Sequence, residues 1–153
     1  MKHRFLLDVM IIYHAVKRVD EKESPDPTAD ELIRLIGENC HTVVADKVLL
    51  DKYSPHLTGL LGKPPLQVRT TDFLLQILHN AAKFVVESEA APELPSGVRV
   101  PPEDIYVVTA ALISRPFVIT AERGLLQAIN NQRDLLGLTA LTPGEALELA
   151  RDS

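Results

Sequence analysis

Short apolar runs and amphipathic stretches alternate along the chain. Phe5, Leu6 and Leu7 form an apolar run that stops at Asp8, the form of a short buried strand. Residues 9–18 carry apolar positions on one side and predict a helix. Residues 19–27 are a polar connector marked by Pro25 and Pro27. Thr28 with Glu31 three positions on has the form of a capping box, so a helix should run through Leu32, Ile33, Leu35 and Ile36 to Gly37. Residues 41–45 predict a second strand. Asp46 is placed to cap a helix with Val48, Leu49, Leu50, Tyr53 and Leu57, which Pro55 should kink or restart behind Ser54.

The alternation continues. Residues 62–68, with Pro64 and Pro65, read as loop; residues 71–82 predict a helix with Phe73, Leu74, Ile77 and Leu78 at helical spacing. Residues 84–86 predict a third strand and 87–100 a long loop. Pro101 and Pro102 open a helix over 103–112, as proline can in a first turn. Residues 117–120 predict a fourth strand, 122–131 a helix, and 138–141 a short fifth strand. Thr142, Pro143, Gly144 and Glu145 then open a last helix. Strands alternating with helices imply right-handed crossovers and a parallel sheet covered on both faces. The expected fold is therefore α/β, three layers α/β/α around a five-stranded parallel sheet. The sequence shows no repeat, low-complexity tract or dividing linker, so residues 1–153 read as a single domain.

Ligands bind such sheets at the carboxyl ends of the strands, where strand order reverses. Asp8 directly follows the first strand and Glu122 lies just past the fourth. Asp104 falls in the first turn of the helix leading into the fourth strand, and Asp51 in the helix after the second. Each acid alone has an ordinary structural reading: Asp8 as a helix cap, Asp104 on a helix dipole, Asp51 paired with Lys47, Glu122 at a solvated helix start. Glu103, beside Asp104, is an alternative ligand that fits the pattern less well.

Taken together the acids resemble the four acidic blocks of the PIN-domain family. The blocks are Leu6-Leu7-Asp8; Val43-Val44-Ala45-Asp46-Lys47-Val48-Leu49-Leu50-Asp51; Pro101-Pro102-Glu103-Asp104 and the helix after it; and Val118-Ile119-Thr120-Ala121-Glu122-Arg123. Order and spacing match over nearly the whole chain. The resemblance implies a ribonuclease with Asp8, Asp51, Asp104 and Glu122 as catalytic residues. Asp8, Asp104 and Glu122 would hold magnesium or manganese, and Thr120 and Arg123 would meet a carboxylate or the phosphate of the substrate. It further implies single-stranded RNA as substrate, an antitoxin protein as partner in the manner of VapC toxins, and a homodimer. Three positions depart from the family pattern: Asp51 stands where glutamate is usual, Glu122 where aspartate is usual, and Val9 where a small polar residue is usual. They support the alternative of a PIN domain that has lost catalysis and binds RNA or protein.

Composition narrows the field. A net charge of −5 argues against gripping nucleic acid by bulk positive field, and leaves a metal-using nuclease open. The one cysteine, Cys40, cannot form an internal disulfide, which fits a reducing, cytoplasmic setting. No apolar run is long enough to span a bilayer. His3, His14, His41, His56 and His79 lack metal-ligand spacing, so a zinc site is not expected. Glycine-rich phosphate loops and a serine nucleophile elbow are absent. A phosphoacceptor receiver domain would need an acidic pair at the first strand, which Asp8 does not supply. Among the aromatics, Tyr13 and Tyr53 stand apart as candidates to stack on a base.

Overall fold

The apolar run near the start of the chain becomes the middle of a sheet. The structure, a computed structural model, describes residues 2–152. Its strands are β1 (Arg4–Leu7), β2 (Thr42–Asp46), β3 (Phe84–Glu87), β4 (Phe117–Ile119) and β5 (Ala140–Leu141), all parallel, in the order β3-β2-β1-β4-β5. Phe5, Leu6 and Leu7 are fully buried, because a central parallel strand is covered on both faces and cannot alternate apolar with polar. Val85 and Val86 of the edge strand β3 are each nearly half exposed. The α/β class, the five strands and their parallel sense are as the sequence predicts.

The helices are α1 (Val9–Lys17), α2 (Thr28–Glu38), α3 (Lys47–Leu61), α4 (Gln67–Phe73), α5 (Ile105–Ser114), α6 (Arg123–Asn131), α7 (Arg133–Leu136) and α8 (Pro143–Arg151). Helix α2 packs on α1 and α8, and α3 on α4 and α5. Among the described residues no helix is long and apolar enough to cross a membrane.

Several local expectations change. Thr28 does not cap α2: it is the first helical residue, and Asp26 Oδ1 accepts both its N–H at 2.9 Å and its hydroxyl at 2.6 Å. Pro27 already has helical backbone angles, which moves the start of the helix ahead of the expected box. A capping box does form at Thr142 and Glu145, at the start of α8. Pro55 neither kinks nor restarts α3, which runs unbroken from Lys47 to Leu61. Leu49, Tyr53, Leu57 and Leu60 make its buried face, while Ser54, Pro55 and His56 are exposed, so the carbonyl that loses its donor to proline faces water. The expected loop at 62–68 holds a 3-10 turn over Pro64–Leu66 and the first residues of α4; a wide π turn over Leu74–Leu78 then ends that helical segment, with the His79 N–H on Leu74 O at 2.7 Å.

Asp46 caps α3 as expected, accepting the Leu49 N–H at 2.8 Å. One turn further, Tyr53 is fully buried and donates its hydroxyl to Leu7 O at 2.5 Å, where β1 ends. It therefore cannot stack on a base; it fixes α3 against the end of β1. Tyr53→Phe should cost about 1–3 kcal/mol, because it strands a buried carbonyl without opening a cavity. A urea titration should show a lower midpoint with an unchanged slope; an unchanged midpoint would mean that this bond does not hold α3 in place.

Candidate metal-binding site

Asp8 follows β1 directly. Its N–H is taken by Ile119 O at 2.9 Å, which pins it beside the end of β4. Its Oδ1 accepts the Val9 N–H at 2.8 Å, making it the cap of α1, and its Oδ2 accepts the Thr120 hydroxyl at 2.7 Å. The structural reading of Asp8 as a cap holds, and its charge acts on Asp104 nearby. Thr120 is fully buried and its hydroxyl also accepts the Glu122 N–H at 3.1 Å. Of the two roles expected for Thr120, the structure shows the carboxylate partner; burial removes it from contact with a substrate. Thr120 thus ties β1 to β4, the pair of strands at which the sheet order reverses.

The long loop after β3 brings in the next acids. Leu94, Val98 and Val100 pack against the core, and the Gln132 side chain grips Arg99, accepting its N–H at 2.8 Å and donating to its carbonyl at 2.7 Å. A 3-10 turn over Pro102–Asp104 then leads into α5. Asp104 is 5% exposed, and its Oδ2 is buried with no hydrogen-bond partner. It sits at the N-cap of α5 without making a capping bond. Glu103, Asp104 and Glu122 each offer a carboxylate oxygen, all within 4.8 Å of one another.

Burial and like charge act together here. Burial, then Glu122, Asp8 and Glu103, push the Asp104 carboxyl up to about 7. Burial raises Asp8 as well, against the hydrogen bonds from Thr120 and Val9. Tyr106 on α5 is raised by burial and by the charges of Asp8, Asp104 and Glu122, so its ring stands in the same negative field. Hard oxygen donors crowded around a buried oxygen that lacks a proton donor fit magnesium or manganese.

The structure does not bring Asp51 to this cluster. Asp51 is exposed, two positions from both Leu49 and Tyr53 and so on the other side of α3, and it lines a separate cavity with Leu57, Leu78, His79 and Val86. Glu103 stands in its place, an acid that sequence pattern ranks second to Asp104. Arg123 is exposed on the wall of a cavity of about 620 Å³, which it shares with Asp8, His14, Glu21, Lys22 and Glu122. His14, Glu21 and Lys22 carried no signal in spacing; the connector 19–27 folds back over the site.

No protein-family model matches the chain, and no curated protein sequence does. A chain in the crystal structure of VapBC2 from Rickettsia felis, bound to a DNA fragment from their promoter, aligns with 91% of this chain and 98% of its own length at 11% identity, with a TM-score of 0.53. A PilT N-terminus domain protein from the hyperthermophilic archaeon Sulfolobus solfataricus aligns with 98% of this chain and 95% of its own, at 12% identity and a TM-score of 0.45. The PIN-like fold expected from the acidic blocks is the fold found.

The Asp104 carboxyl yields a pH signature. Its folded-state value lies above the ordinary 3.8, so its contribution to stability is complete below about pH 4 and is lost as pH rises through about 7. In EDTA, the wild-type melting temperature should fall relative to that of Asp104→Asn between about pH 5 and 8. Millimolar manganese should restore the wild type and leave the variant unmoved. Parallel pH profiles for the two proteins would show that Asp104 carries no such strain.

Proposed function

We propose that the chain is a divalent-metal-dependent endoribonuclease that hydrolyses phosphodiester bonds of single-stranded RNA at the carboxyl end of its sheet. The observation that carries this reading is the buried, unpartnered Asp104 Oδ2 within a cluster of carboxylates at the switch point of the strand order. Asp104, Glu122 and Glu103 would hold the ion, with Asp8 beside them. When bound, magnesium or manganese supplies an activated water and neutralises charge on the phosphate.

The chain's own groups do the positioning. Thr120 holds Asp8 Oδ2 by donating its proton, and accepts the Glu122 N–H, so both acids keep fixed backbones. Val9 N–H holds the other Asp8 oxygen. Lys22 and Arg123, on the cavity wall, bind and orient the anionic strand against acids that would otherwise repel it. The polar contacts at the end of β1 are tight: the Tyr53 hydroxyl keeps Leu7 in place beneath Asp8. Likeness of fold to a VapBC2 chain supports a toxin–antitoxin setting, with a partner protein that restrains the nuclease.

Purified protein should cut single-stranded RNA with manganese or magnesium and stop in EDTA. Asp8→Asn and Asp104→Asn should each lower the rate by about 100-fold or more, the scale of losing one electrostatic group at a reacting centre. Glu103→Gln should slow cutting, while Asp51→Asn should stay within about twofold, as an exposed residue away from the cluster does. Metal binding without cleavage in the wild type would assign the domain to the alternative, a binding module. Full activity in Asp104→Asn would sink the site.

A further inference from the structure

Beside the acidic cavity lies a smaller one of about 220 Å³, between the end of α1, the 19–28 connector and the start of α8. The two share His14, Glu21 and Ala121, so they adjoin across a common wall. His14 is 5% exposed, and among the described residues its ring makes no hydrogen bond, although it lines both cavities. Its nitrogens are not sealed in the core but open to these cavities, where a ligand or water can meet them. Burial holds the ring below the ordinary histidine range, against the pull of Glu21 and Asp20, so it is neutral near pH 7 and offers one donor and one acceptor.

The rest of the lining is rich in acceptors. Asp20 spends Oδ1 on the N–H groups of Lys22 and Ser24, and Asp26 spends Oδ1 on Thr28. Among the described residues Glu21 makes no hydrogen bond or ion pair, and its charge is the one that acts most on His14. Ala29, Ala121 and Pro143 add flat apolar surface. Three carboxylates make this cavity hostile to a phosphate. A planar group that presents N–H donors suits it: acceptors at its edge, small apolar groups at its faces.

We propose that this cavity is a nucleobase pocket beside the cutting site, and that it selects guanine through Glu21 and His14. The proposal rests on the ribonuclease reading above. A strand whose phosphate lies against the acids and Lys22 carries its next base toward the shared wall of the two cavities. Bases of single-stranded RNA are read on their Watson–Crick edges once unstacked. Guanine presents two adjacent donors there, N1–H and the exocyclic amino group, which match both oxygens of one carboxylate. Adenine and cytosine present an amino group next to a ring acceptor. Uracil presents one N–H between two carbonyls, which a carboxylate repels.

Binding, rather than cutting, decides the matter. Four fluorescent pentaribonucleotides, UUUUU and the same strand with G, A or C at the centre, are titrated with the protein in calcium and read by anisotropy. The guanine strand should bind about tenfold tighter than UUUUU, the scale of one bidentate contact to a base edge. Glu21→Gln, at an exposed position that leaves the fold intact, should reduce the preference to about twofold or less. His14→Phe, which keeps a ring and removes its nitrogens, should also reduce it; a melting curve checks its fold. Equal affinities for the four strands, absence of binding included, overturn the pocket whether or not the protein cuts RNA. A guanine preference that survives both substitutions overturns it too. Equal affinities together with Glu21-dependent binding of an arginine-containing pentapeptide would give the cavity to a basic protein segment instead. Cleavage, measured separately, tests the ribonuclease reading alone.

Discussion

The Thr120 hydroxyl gives its proton to Asp8 Oδ2 at 2.7 Å and takes the N–H of Glu122 at 3.1 Å. One small side chain thereby couples the ends of two adjacent strands, and two acids enter the site with their backbones fixed. The position demands this residue type: burial excludes a long polar side chain, and serine would supply the hydroxyl without the packed methyl group. Tyr53 completes the frame from α3 by fixing Leu7, so the end of β1 and the Asp8 that follows it are held by Tyr53 and by Thr120, the residue after β4, at once. Everything beyond that frame, Asp104 in particular, is delivered by a loop and depends on it for a target.

The frame carries a cost that it does not itself offset. Asp104 Oδ2 is buried without a donor while Glu122, Asp8 and Glu103 surround it with like charge. A proton relieves this in acid, and on the proposed reading a cation would relieve it near neutrality; the same feature that destabilises the domain would then create its affinity for metal. The stability comes from elsewhere: a sheet whose central strand is buried on both faces, and the apolar faces of α1, α2, α3 and α8. Strain at a site backed by a well-packed core is the pattern expected where a structure serves chemistry rather than its own stability.

Much of the fold was legible because it rests on local pattern. Apolar runs of three to five residues between amphipathic segments marked the five strands, and crossover geometry then gave their parallel sense. Element boundaries were less legible. Thr28 and Glu31 satisfy the capping pattern, yet Asp26 and Pro27 start the helix sooner; Pro55 satisfies the breaking pattern, yet lies where its missing bond faces water. The acids split along the same line. Asp8, Asp104 and Glu122 are fixed by their distance from strand ends, which sequence shows. Asp51 depends on the rotation of a helix about its axis, which Tyr53 sets through a contact 46 positions away. Glu103 was legible only as a second choice beside Asp104, and His14 joins the cavity through a helix face of which spacing carries no trace.

If, as proposed, a chain with net charge −5 handles RNA, it must solve its electrostatics locally. The acids then could not be spread out, because a hard cation would need them together. The structure places Lys22 and Arg123 on the wall of the cavity that holds Asp8 and Glu122, so positive charge stands locally beside the acids and not as a general surface field. On the proposed reading long-range attraction would be weak, and binding would wait on the metal, which would convert the most repulsive part of the surface into the most attractive. On this logic affinity for RNA and occupancy by metal are linked: each favours the other through the same carboxylates, with no conformational change required. The connector 19–27 adds acceptors next to the acids; with the base pocket proposed above, a bare phosphate would be repelled there and a base with donors welcomed, so the strand would be sorted by its bases once its backbone is neutralised.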